Sequence, residues 1–589
     1  MSLKQLFRDE LAYLHLQGNE FAKRNPNLSR FLSEKSSDPD IERLLEGFAF
    51  LSARLRQKIE DDFPELTHSI INLLWPNYLR PLPSATVIRF TPKADSITEK
   101  QTIKRNTSLR SHPVDGTQCR FRTCHDVSIY PFLLNSIDDT HSRDKSIVGI
   151  NIKTLTDQPL NEINCDHLTF YLAGNDYTAQ TLYLWMFNYL DHIDVIIEGQ
   201  SIKTLSSRNI ERVGFQPDQA LLPYPPNVFD GYRILQEYLN FPDRYQFFDL
   251  VKLQQIWPGE SAEDIRLELH FKRPFPVDIK IRRNDFELYC TPAVNLFDHD
   301  ADPISLDGKS IEYIIRPSDY KQEHYEIFSI NNVRGRGQSS ETEERTSRTY
   351  FPFESFQHEI ERAHERKALY FRNRVSESVT KSGFEQFISF IREDETLYTP
   401  EESETISIEM TCTNRNLPEA LAIGDICIPT EMTPSFVTFE NITQPSPPLR
   451  PVLDGSLHWK LISNLSLNYM SLLEVEPLST IIRAYDFKAN EDEQANRHLK
   501  QRLAGIEQIT TKPIDHLVKG LPVRGVFSKI TINAENFHSE GELYLFGTVL
   551  SHFFSLFSSI NSFHILELVN SANNETYQWP LQKGTQPLI

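Results

Sequence analysis

Two hydrophobic periods divide this chain, and one gives way to the other at Trp75-Pro76. Upstream, apolar residues recur every three or four positions, the spacing of one helix face. Leu3, Leu6, Phe7, Leu11 and Leu14 mark a first amphipathic helix. Asp38-Pro39 opens a second. Asp38 can cap the free N–H groups, and proline at the first helical position forfeits no hydrogen bond. Ile41, Leu44, Leu45, Phe48, Leu51, Leu55, Ile59 and Phe63 form its stripe, with Glu42, Arg43, Arg56, Lys58 and Asp61 mostly to the sides. Pro64 ends or kinks this helix, and Leu66, Ile70, Leu73 and Leu74 carry a third apolar face to Trp75.

Downstream the period is two. "TVIRF" (86–90), "GINIKTL" (149–155), "HLTFYL" (167–172), "DVIIEG" (194–199), "DIRLELHF" (264–271) and "VDIKI" (277–281) alternate apolar with polar residues. That pattern predicts half-buried strands in antiparallel sheets. Helices are expected near 176–191 and 231–240, through Leu457, Leu461, Leu465 and Tyr469, and over "GELYLFGTVLSHFFSLFSSI" (541–560), before a final strand "FHILELV" (563–569). Residues 491–502 read as a solvated helix or loop, and 395–405 as an exposed acidic stretch. The segment 331–349 has almost no apolar residue to offset its ordering entropy and reads as a mobile loop.

With 589 residues, the chain exceeds what one core can organise. The expected fold is α+β and multidomain: a helical N-terminal segment, then mainly antiparallel β domains with interspersed helices. The divisions are 1–84, a helical assembly segment; 85–290, β-rich; 291–443, β-rich and carrying loop 331–349; and 444–589, α+β. "WPNYLRPLPSA" (75–85) and "QPSPPLRP" (444–451) read as stiff, extended connectors.

A formal charge of -20 repels phosphate backbones and argues against nucleic acid as a partner. Six scattered cysteines fit reduced, buried thiols. The N-terminus lacks an apolar run of signal-peptide length, and no segment is apolar for long enough to span a bilayer, so no membrane insertion is expected.

Catalytic constellations are missing. In "HEIERAH", His358 and His364 are six apart, not the four that would place both on one helical face around zinc. "GKS" (308–310) has Pro303 where a phosphate-binding loop needs glycine. Cys119, Cys124 and His125 are close in sequence but lack a second ligand pair at finger spacing. Neither GxSxG nor GxGxxG occurs, and "RGRG" (334–337) leads straight into Glu341, Glu343 and Glu344. The expectation is no enzyme, no cofactor and no metal, the alternative being a metal-dependent hydrolase at His358/His364 or Cys119/Cys124/His125.

Several long segments resemble one family. "DPDIERLLEGFAFLSARLRQKIEDDFPELTHSIINLLWPNYLRPLPS", "LLPYPPNVFDGYRILQEYLNFPDRYQFFDL" (221–250), "CTPAVNLFDHDADPISLD" (290–307), "CTNRNLP" (412–418), "PSPPLRPVLDGSLHWKLISNLSLNYMSLL" and "GELYLFGTVLSHFFSLFSSINSF" are similar to TssF, the baseplate wedge protein of type VI secretion systems. The resemblance spans the chain, although loop 331–349 looks longer and more charged than the family pattern needs. It implies a cytoplasmic structural subunit at the inner face of the inner membrane, reaching the membrane complex through other subunits. It implies a wedge of two TssF copies with one TssG, joined by TssK and TssE around a VgrG-like spike hub and anchoring the contractile sheath. A wedge protein of a related contractile injection particle or phage tail shares this mechanism. Bundling of N-terminal helices with TssG, which the resemblance also implies, would make Phe48, Leu51, Leu55 and Ile59 subunit-interface residues.

Overall fold

The structure, a computed structural model, describes residues 7–8, 11, 14, 43–52, 71–72, 75–93, 96–225, 230–306, 310–338, 345–353, 369–377, 383–392, 404–451, 473–518 and 521–584. The chain divides into two compact units. The first comprises residues 1–72 and 453–466. Its described part is helical at 7–8, 11, 14, 43–52 and 71–72, with Ala49 and Ile71 buried. The rest of the predicted N-terminal helices, and the predicted helix through Leu457, Leu461, Leu465 and Tyr469, lie outside the described residues. Residues 75–84 are not α-helical: Pro76–Tyr78 is a single 3-10 turn and a strand begins at Ala85.

The second unit comprises residues 73–452 and 467–589 and is built mainly of antiparallel sheets. One sheet runs in the order Val437–Asn441, Ala85–Pro92, Cys290–Val294, Thr117–Thr123, Ser108–Val114. Ala85–Pro92 lies between strands from far along the chain. Long insertions permit such pairing because closure entropy grows only logarithmically with loop length. The two proline-rich connectors are clasped together. Leu82 and Leu449 exchange backbone hydrogen bonds of 2.8 and 3.0 Å, and Ala85 N–H donates to Ser446 Oγ at 3.0 Å.

A second sheet orders Gln200–Ser206, Leu190–Ile197, Asp264–Phe271, Ser146–Thr154 and Phe132–His141. Ile265, Leu267, Leu269 and Phe271 are all buried, as the alternation predicted. "VDIKI" is not a strand. Pro276 offers no N–H, Ile279 N–H turns back to the Pro276 carbonyl at 3.0 Å, and Val277 is fully exposed.

The expected loop at 331–349 is mostly strand. Glu326–Gln338 pairs with Arg345–Pro352 on one side and Glu404–Thr413 on the other, while 339–344 lie outside the described residues. Two flanking ladders satisfy a backbone whose side chains are nearly all polar. Its inward positions need little apolar bulk: Val333 and Tyr350 fill the core, and a Cβ on Gly335 would strike the Glu404 carboxylate. Tyr350 Oη donates to Glu404 Oε2 at 3.0 Å. Glu404 is therefore buried, not part of an exposed acidic stretch; 393–403 are not described.

Near the C-terminus, Leu521–Ile532 and Phe563–Asn570 pair in parallel, so a crossover must join them. Helix Glu540–Leu556 supplies it and is buried almost all round. Ser539 Oγ accepts from Glu542 N–H at 2.9 Å, and Glu542 Oε2 accepts from His538 N–H at 2.8 Å, so its first turn is capped from both directions. Helices Asp176–Leu184 and Asp230–Asn240 pack on it, and residues 493–504 are also helical, with Leu499 and Leu503 buried. At the crossing with Asp176–Leu184, a Cβ on Gly541 would run into the Gln180 carbonyl. Gly541→Ala is expected to cost about 1–3 kcal/mol, since two backbones must part. A thermal midpoint unchanged from the parent chain would contradict this close approach.

Candidate assembly surface

The 43–52 helix divides its apolar residues between two faces. Leu45, Ala49 and Ser52 follow the i, i+4, i+7 spacing of one face; Ala49 is buried and the other two are half-buried. Leu44, Phe48 and Leu51 follow the same spacing about a quarter-turn away. They are 73%, 60% and 59% exposed. Phe50 is also exposed. Covering three side chains of this size would be worth roughly 5–9 kcal/mol gross, at about 1.5–3 each. Of the four predicted interface residues, Phe48 and Leu51 are therefore on an open apolar stripe. Leu55 and Ile59 would prolong it by helical spacing but lie outside the described residues.

The residues weighed for metal chemistry have a different character. Cys119 and Cys124 are buried, and burial pushes their thiols up to about 12 and about 11. Thiols so disfavoured as thiolates are poor nucleophiles and poor ligands. Cys124 Sγ points to the Leu221 carbonyl at 3.5 Å, and His125 Nε2 is 2.9 Å from the Gln219 carbonyl. Since a carbonyl only accepts, that nitrogen carries the proton and offers no lone pair. His358 and His364 lie outside the described residues.

The 221–250 segment builds a buried polar knot. Arg233, Glu237 and Arg244 are fully buried, and Glu237 pairs with Arg244. Arg233 Nη2 donates to the Phe215 carbonyl at 2.9 Å and to Asp230 Oδ2 at 2.8 Å. Arg244 Nη2 donates to the Gly214 carbonyl at 2.8 Å, and Glu237 Oε1 accepts from Leu221 N–H at 2.9 Å. Beside the knot, Trp75 packs against Tyr224, Tyr232 and Tyr485 with ring centroids 5.4 to 6.3 Å apart. Helical periodicity located the helix. Nothing in the periodicity signalled that Arg233 and Glu237 would be interior, because charged residues on a helix ordinarily face water.

A family model described as "Type VI secretion system, TssF" matches residues 1–586. The type VI secretion system component TssF1 of Pseudomonas aeruginosa is 28% identical over 634 residues, covering 99% of each protein. One chain of the type VI secretion TssK-TssF-TssG baseplate subcomplex superposes with a TM-score of 0.75 and 28% identity, covering 92% of this chain and all of that one. A chain of the type VI baseplate complex matches over the full length of both at a TM-score of 0.65; at 24% identity this is a likeness of fold.

Proposed function

The chain belongs to the TssF family of type VI secretion systems, and we infer from that premise that it is a structural subunit of the baseplate, assembling with TssG and TssK. The observation that carries this reading is the end-to-end likeness to a chain solved within a TssK-TssF-TssG subcomplex. The open stripe of Leu44, Phe48 and Leu51 supports it, because an apolar helix face is what a helical bundle between subunits requires. The work on this reading is assembly and not catalysis. TssE, a second copy of this chain and a VgrG-like spike hub complete the wedge, with two TssF to one TssG. The wedge stands on the cytoplasmic side, at the inner face of the inner membrane. Among the described residues no helix is long and apolar enough to cross a membrane.

Co-expression with TssG and TssK from the same organism, followed by capture on a tagged TssG, tests the reading. The expected result is a single species that elutes ahead of any component alone and contains two copies of this chain per TssG by native mass. Elution of this chain apart from both proteins would overturn it.

A further inference from the structure

His192 and Asp194 are two apart on strand Leu190–Ile197, so their side chains leave the same face of the sheet. His270, on the adjacent strand Asp264–Phe271, stands directly opposite His192 in antiparallel register. Ile193, Val195 and Leu269, which alternate with them, are buried in the core. The trio therefore sits half-buried on the other face, with imidazole nitrogens and carboxylate oxygen all within 4.8 Å of one another.

Both imidazole Nε2 atoms stand close to one carboxylate oxygen. His270 Nε2 is 3.3 Å from Asp194 Oδ2, and His192 Nε2 is 3.8 Å from it. Two ligands of a tetrahedral zinc, at about 2.0–2.1 Å each, stand about 3.3–3.4 Å apart. The His270–Asp194 edge already has that length, and the His192–Asp194 edge is within half an ångström of it. His270 Nε2 is shielded from water and makes no hydrogen bond. Left so, a buried nitrogen is costly; a cation would use its lone pair.

The surrounding groups orient the rest. His192 Nδ1 lies 3.0 Å from Asp191 Oδ2. A carboxylate can only accept, so the proton resides on Nδ1 and the Nε2 lone pair is free, the carboxylate–histidine pairing that supports metal ligands. Thr204 Oγ1 donates to Asp194 Oδ1 at 2.5 Å, leaving Oδ2 turned to the imidazoles. Lys272 pairs with Asp191 and Arg266 with Glu268, so the nearby cations are directed to those carboxylates. The two rings stack with centroids 4.3 Å apart and planes 11° from parallel, so His192, the more exposed ring, must swing out of the stack to aim its in-plane lone pair at an ion shared with His270.

We propose that His192 Nε2, His270 Nε2 and Asp194 Oδ2 bind one divalent cation of the zinc class, with solvent or Glu268 in the fourth position, tying two neighbouring strands of the sheet. Glu268 Oε2 is 3.8 Å from His270 Nε2, within reach of that position. The test uses the full chain stripped of metal and titrated with zinc chloride by calorimetry. One zinc per chain is expected, with affinity at least tenfold weaker in His192→Ala, His270→Ala and Asp194→Asn, and with a rise in thermal midpoint that those variants lack. Cobalt(II) added to the unmodified chain should give the intense visible bands of tetrahedral coordination, a readout independent of any variant's folding. Absence of zinc binding, absence of those cobalt bands, or zinc affinity unchanged in all three variants would overturn the proposal.

Discussion

Glu237→Ala should destabilise the isolated chain by about 3–5 kcal/mol, the usual consequence of removing one member of a fully buried ion pair. Arg244 is completely buried, and burial already pulls its guanidinium below the ordinary range. Glu237 compensates that charge and also accepts the Leu221 N–H, so its loss strands a cation and a backbone donor together. A loss of that size is a large fraction of the 5–15 kcal/mol typical of a folded domain, so the soluble yield should fall as well as the thermal midpoint. The double variant Glu237→Met/Arg244→Met separates the stranded charge from lost packing. It should be more stable than Glu237→Ala, since neither charge remains to be desolvated. Equal midpoints for the parent chain and Glu237→Ala would show that water reaches the knot.

Much of the β architecture was legible because alternation reports directly on burial. Each second residue of 264–271 is interior, and the predicted helices at 176–191, 231–240 and 541–560 correspond to helical backbone at Asp176–Leu184, Asp230–Asn240 and Glu540–Leu556, the first closing in a π turn before strand begins at Leu190. Hydrophobic pattern failed where hydrogen bonding between strands decides the outcome. Residues 331–338 have Val333 as their one apolar side chain but a partner strand on each side, so backbone ladders carry most of their ordering. "VDIKI" has the right pattern and the wrong neighbour, Pro276, which removes a donor and starts a turn. Proline-rich segments 75–85 and 444–451 read as connectors because local stiffness is visible in sequence and their mutual pairing is not.

The candidate sites divide in the same way. The apolar stripe at Phe48 and Leu51 was legible from spacing, since a helix face is a local property. Its division into a covered side at Ala49 and an open side at Phe48 was not, because that depends on what packs nearby. His358/His364 and Cys119/Cys124/His125 stand out in the sequence because each group is local in the chain. His192 and His270 are brought together only by strand register, which no local spacing encodes.

The interface reading predicts that stability and assembly respond to different residues of one helical turn. Ala49 is buried, so Ala49→Asp should place an unpaired charge in the interior and lower the midpoint of the isolated chain. Phe48 and Leu51 are 60% and 59% exposed, so Asp at either position should change stability by no more than about 0.5 kcal/mol. In the complex the same carboxylate would have to be desolvated where an apolar side chain had been buried. That change sums to several kcal/mol, and with each 1.4 kcal/mol a factor of ten, it should weaken association by about 100-fold or more. The decisive measurement is TssG capture by Phe48→Asp and Leu51→Asp chains whose thermal midpoints have been matched to the parent. Midpoints near the parent's with capture lost are the expected result. Capture at the parent level by both variants, or loss that follows destabilisation degree for degree, would contradict it.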